Sequence, residues 1–394
     1  MVAEATATST VRPIWVTGND IFRQQLERMP DLQDRLVQAM LGNIEQFRLG
    51  YITDCAIVGR LARMLLEVRR YAQFEWALIR DSARFFAEEG GKLVDEVEPS
   101  LFLLRVEKRL RECADFSTQL LDESSRKPLL STVESHLLMP HLHTLLERGL
   151  KPLLDSDRVE DLRRMYLLFG RVNKTDLLVK AWTQYCRSSG EALVGAGEEG
   201  HKRFVEEVLA LLRKLTAILH QAFCNQESFK GGLSSSFEHF LNARTARPSH
   251  APSIAPTQAS SGPSSSLACD FNAASLLARF VDRKLRVERG VTEQEVETQL
   301  DQAMELFRYL QEKDIFEAFY KKHLAKRLLL AKSASYEQEK GMLSRLKTEC
   351  GSNYTCKLEG MFQDVELSRE CLAAFYAFRE TKRAGAVGAV GEGA

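Results

Sequence analysis

Net charge is the first thing this chain lacks. Its 54 lysines and arginines are matched by 54 aspartates and glutamates, so the formal charge is zero. A dedicated nucleic-acid binder needs a basic face to neutralise phosphates, so that class is not expected. No stretch approaches the roughly 18 successive apolar residues that a membrane-spanning helix requires, and no membrane partner is expected. The opening MVAEATATST lacks the apolar centre of a signal peptide. With Glu4 and no arginine before Arg12, it also makes a poor organelle transit sequence. The eight cysteines include no Cys-x-x-Cys pair, and a disulfide framework normally belongs to a short secreted domain. Reduced thiols are expected, and with them a place in the cytoplasm or nucleus.

Catalytic signatures are missing too. There is no G-x-x-x-x-G-K-[ST] loop, no G-x-G-x-x-G after a strand and no G-x-S-x-G elbow. His136, His141 and His143 lie close together in ESHLLMPHLHTLL. They have no companion cysteine or acidic pair at ligand spacing, and Pro140 is expected to break the helix between them. Surface and packing roles are the expectation for all three. Cys350 and Cys356 stand five residues apart with no second pair, so small apolar packing is expected of them rather than zinc. Carboxylate pairs abound, but on solvated helix faces. No catalytic residue, metal ligand or cofactor is expected.

What is present is helical periodicity. Val205, Val208, Leu209, Leu212, Leu215, Leu219 and Phe223 recur at three- and four-residue steps, which places them on one helix face. The same spacing links Leu103, Val106, Leu110 and Cys113, and likewise Leu162, Met165, Phe169 and Val172. A later run passes through Leu300, Ala303, Phe307 and Leu310, then Phe316, Phe319, Tyr320, Leu324 and Leu328. Thr292 with Glu295, and Ser335 with Gln338, have capping-box spacing. No period-two strand or Asn-Gly hairpin turn stands out. An all-α protein is expected, with serially stacked helices. The basic run Lys321, Lys322, His323, Lys326 and Arg327 reads as the wet cationic face of one such helix, or else as a patch for an acidic partner. From 244 to 270 the chain is rich in proline and serine and poor in large apolar residues, so a disordered insertion is expected. Residues 381–394 are a Gly/Ala-rich tail, and 1–12 a disordered start.

The segment from Lys313 to Ser368 reads KDIFEAFYKKHLAKRLLLAKSASYEQEKGMLSRLKTECGSNYTCKLEGMFQDVELS. This resembles the cullin homology region: FEAFYKK-x-LAKRLL, SAS, E-x-x-ML-x-x-LK-x-x-CG, then T-x-KLEGMF-x-D. Upstream, FRQQ, FFAEEGGKL, LLDSDRVEDLRRMYLLFGRV, FEHFLN and ARFVDRKLR are similar to type-four cullin segments in the same order. The resemblance implies an elongated stack of five-helix cullin repeats over 13–243 and 271–312, the first repeat incomplete. A partial four-helix bundle would follow over 313–380. It also implies a non-catalytic scaffold of a ubiquitin ligase, with a triple β-propeller adaptor at one end and a RING-finger protein at the other. PIWVTGNDIFRQQL resembles the last helix of the first repeat, which makes Trp15 and Phe22 the candidates for an adaptor contact that is expected to be weakened or lost, with core packing the alternative role for both. The α/β region that embraces the RING protein, and the lysine that carries a ubiquitin-like protein, have no counterpart in this sequence. A different class, the helical tethering proteins, shares the stacked-helix look but lacks the 313–368 block.

Overall fold

The computed structural model of the chain describes residues 13–194, 203–243, 272–286 and 292–388. The expected disordered start at 1–12 and the expected insertion at 244–270 lie outside them. Among the described residues all regular elements are helices, with one isolated antiparallel bridge joining Arg286 and Ser333. The all-α expectation holds. The chain divides into two compact units, one of residues 1–181 with 220–224, the other of 182–219 with 225–394.

The first unit opens with α1 (Ile14–Arg28), α2 (Pro30–Arg48), α3 (Cys55–Glu67), α4 (Tyr71–Glu96) and α5 (Pro99–Leu120). Proline begins α2 and α5, where the missing N–H is one the helix leaves unpaired in any case. Asp54 caps α3 by accepting from the Ala56 N–H at 3.1 Å. One core gathers Val37, Met40, Ile44, Val58, Leu65, Tyr71, Phe74, Leu78 and Phe116 from these helices. Leu103, Val106, Leu110 and Cys113 are all buried on α5, as their spacing requires.

Beyond it, α6 (Glu123–Val133) carries Pro128 inside its span. The expected break at Pro140 does not occur as a break. Glu134–Leu138 widens to a π-helix, Met139–His141 tightens to a 3-10 turn, and α7 (Leu142–Leu145) resumes the helix. A second π turn, Leu146–Leu150, leads into α8 (Lys151–Asp155). Changes in helix pitch absorb the hydrogen bond that proline removes, and helical turns continue through it without a loop. Then come α9 (Val159–Arg171), with Leu162, Met165 and Phe169 buried, and the start of α10 (Thr175–Val194).

The second unit holds the rest of α10, α11 (Phe204–Gln221) as far as Leu219, α12 (Glu227–Leu241), α13 (Ala273–Lys284) and α14 (Glu293–Tyr309). It ends with α15 (Lys313–Leu329), α16 (Tyr336–Cys350) and α17 (Ser352–Gly388). The capping box at Thr292 and Glu295 is formed in both directions. Ser335 makes no side-chain cap, so the second expected box is absent. The helix of α17 continues through residues 381–388, which the sequence reading assigned to the tail. Its two alanines favour the helix and its two glycines oppose it.

Close approach of α10 and α12 fixes one glycine. A Cβ on Gly190 would collide with Cδ1 of Phe240, a ring that is fully buried. Overpacking of this kind costs about 1–3 kcal/mol, against about 1 kcal/mol gained by placing alanine in a helix. Gly190→Ala is therefore expected to lower the midpoint of urea unfolding. A midpoint at or above that of the wild type would show that the two helices part freely.

Candidate protein-docking surfaces

Helix α1 buries little of its own apolar surface. Leu26 is its one buried residue, with Val16 and Arg23 half-buried beside it on the inner face. The helical repeat puts Ile14, Trp15, Gly18, Ile21 and Phe22 together on the other side. There Ile14 is 92% exposed, Trp15 68%, Ile21 55% and Phe22 45%. Scattered exposed apolar residues are ordinary, but a contiguous face of this kind is a candidate interaction surface. Trp15 and Phe22, the two candidates from the sequence, thus lie on one outer face and not in a core. Ile14 and Ile21 share it; their seven-residue spacing, the same as that of Trp15 and Phe22, was the signal for them.

The 313–368 block builds a bundle around a buried charge. Tyr320, Leu324 and Phe362 are buried as bundle core, while Phe319 and Met361 are half-covered. The basic run on α15 is not uniformly wet. Lys321, Lys322 and Lys326 are exposed, but Arg327 is 1% exposed and points inward. Its Nε and Nη2 donate to the two carboxylate oxygens of Glu339 at 2.6 and 2.9 Å, and Nη1 donates to Asp282 at 2.5 Å. Arg327 also stands over the Tyr320 ring, 5.7 Å from its centroid. Burial alone would lower the pKa of the guanidinium. Glu339, Tyr320 and Asp282 more than reverse that, so it is held charged above its ordinary value. Ser333 adds a hydrogen bond to Glu339 at 2.8 Å. One cation thereby fastens α13, α15 and α16, and a forked guanidinium is the side chain suited to two carboxylates.

The second half of α17 leaves Leu367, Leu372, Phe375, Tyr376 and Phe378 between 46 and 58% exposed. Of the three clustered histidines, His136 and His143 are exposed. His141 is half-buried, edge-on to Phe102 at 5.9 Å, and its burial lowers its pKa. Cys356 is exposed and Cys350 half-buried, so the expected apolar packing fails for the first; Cys113 and Cys186 are the buried thiols. Burial pushes the Cys113 thiol up to about 11, which leaves it inert. Among the described residues no group of three or more His, Cys, Asp or Glu side chains is placed to hold a metal. No described helix is long and apolar enough to cross a membrane.

Comparison with known proteins gives these surfaces a family. The model of the cullin alpha solenoid domain matches residues 3–372. Human Cullin-4A is 38% identical over 370 residues, which cover 93% of this chain and 45% of that protein. Cullin-4 of Dictyostelium discoideum is 33% identical over 369 residues, 93% of this chain and 43% of its own length. Cullin-3A of Arabidopsis thaliana is 32% identical over 383 residues, 95% of this chain and 48% of its own. The chain therefore spans a little under half the length of the curated relatives it matches. With the domain match running through nearly all of its helices, the chain belongs to the cullin family, and among its relatives it is similar to the type-four members.

Proposed function

We propose that this chain is a non-catalytic scaffold of a cullin–RING ubiquitin ligase, acting in ubiquitin-dependent protein degradation in the nucleus and cytoplasm. The observation that carries this reading is the match to the cullin alpha solenoid domain over residues 3–372. The physical contribution of such a scaffold is positional. Holding a substrate and a ubiquitin thioester on one stiff body raises their effective concentration without touching the chemistry. Helices in continuous close packing supply the stiffness. A triple β-propeller adaptor is the proposed partner of the α1 face, where Ile14, Trp15, Ile21 and Phe22 offer the aromatic and aliphatic anchors that carry binding energy. A RING-finger protein is the second proposed partner.

Affinity purification of the native protein from its own cells, followed by peptide mass spectrometry, tests this proposal. A β-propeller adaptor and a RING-finger protein are expected among the co-purifying proteins. Recovery of the adaptor alone would make the chain a cullin without ligase activity. Recovery of neither, with vesicle-tethering subunits in their place, would overturn the scaffold assignment.

A further inference from the structure

Asp282 faces more cations than it can serve. Its Oδ1 accepts from Arg327 Nη1 at 2.5 Å, and its Oδ2 pairs with Arg286 Nη2 at 2.6 Å. A third candidate, His323 Nδ1, stands 3.4 Å from the same Oδ2. That nitrogen reaches no solvent and makes no hydrogen bond of its own. Arg286 belongs to a joint. Its backbone bridges to Ser333, and next to it the carbonyl of Leu285 accepts from the Ala334 N–H at 2.9 Å. These contacts tie the end of α13 to the turn between α15 and α16.

We propose that His323 is an acid-sensitive latch on this joint. On taking a proton from solvent, its imidazolium captures Oδ2 of Asp282, displaces Arg286 and loosens the bridge to Ser333. The charged surroundings decide the direction. From α13 and the residues after it, Asp282 attracts the imidazolium and Arg286 repels it. From its own helix Lys326 and Arg327 repel it. From α16 comes Glu339, but both of its oxygens are already held by Arg327. One shared carboxylate against three cations makes protonation costly in the closed joint. Burial adds to that cost and is the largest cause of the lowered His323 pKa. The opened joint, in which the imidazolium has Oδ2 of Asp282 to itself, therefore takes the proton first, at or above the ordinary histidine value of about 6.5. The joint is fully stable above that pH and loses stability as the pH falls through it.

Hydrogen exchange of the full chain, read on peptides covering 273–286 and 313–335 and corrected for intrinsic rates, tests the latch. Between pH 7.5 and 5.5 a single proton taken up at about 6.5 can favour opening by up to about tenfold. A fall in protection of more than about twofold is expected in the wild type, and less than about twofold in His323→Gln. Arg286→Gln, a change at an exposed side chain, should likewise flatten the response, because the imidazolium then meets no competitor for Oδ2. An equal fall in wild type and both variants, or protection that rises on acidification, would overturn the proposal.

Discussion

Arg327→Met is expected to destabilise the second unit by about 3–5 kcal/mol, the range for removing one partner of a buried ion pair. The methionine fills much of the space but donates nothing. Glu339, whose side chain is 0% exposed, would keep Ser333 as a donor and lose both bonds from the guanidinium. Asp282 would retain Arg286 alone. A buried carboxylate without a cation either stays charged at a high cost or takes up a proton, and both outcomes weaken the fold at neutral pH. Urea unfolding measures the effect, read as a shifted midpoint with an unchanged slope. Replacing all three charges together, as Arg327→Met with Asp282→Leu and Glu339→Leu, should recover a substantial part of the loss, because no buried charge is then left unpaired and Arg286, which loses Asp282, is exposed to solvent. A loss below about 1 kcal/mol for the single change would mean that water reaches the pocket and solvates the carboxylates.

Trp182→Ala is the second large effect, at about 3–5 kcal/mol. The indole is wholly buried, tilted against Phe229 at 6.4 Å, and its Nε1–H donates to the Phe229 carbonyl at 3.2 Å. Its removal opens a cavity between α10 and α12. It also removes the indole hydrogen bond to the Phe229 carbonyl, which adds to the transfer cost. Trp182→Phe separates the two contributions: it keeps most of the volume and loses the donor, so about 1–3 kcal/mol is expected. Calorimetric unfolding of the three proteins provides the ladder. Equal melting of Trp182→Ala and wild type would contradict the packing described for the α10–α12 crossing.

Much of the architecture was legible in the sequence because a helix repeats every 3.6 residues, and burial follows that repeat. Leu103, Val106 and Leu110, or Val208, Leu212 and Leu215, lie inside for no subtler reason. What periodicity hides is pairing at a distance. Arg327 sits in a lysine-rich run and reads as one more wet cation. Its partners Glu339 and Asp282 are 12 and 45 residues away. A signal was available even so: Arg327 follows Phe316, Tyr320 and Leu324 at helical steps, on the buried side of α15. Pro140 shows the converse limit. Its chemistry forbids one hydrogen bond, and only the packing of Leu137, Leu138 and Leu142 shows that π and 3-10 turns keep the helix running. For α1, the exposure of Trp15 and Phe22 could not be read from spacing, since an apolar stripe looks alike whether a neighbour covers it or not.

The scaffold account is tested most directly at the outer face of α1, by calorimetric titration of the chain with a purified triple β-propeller adaptor. The account predicts saturable binding to the wild type. It also predicts that Trp15→Asp with Phe22→Asp weakens binding at least about a hundredfold, as losing two interface anchors should, with no change in unfolding midpoint. Undiminished binding by the double variant, or no binding by the folded wild type, would contradict it.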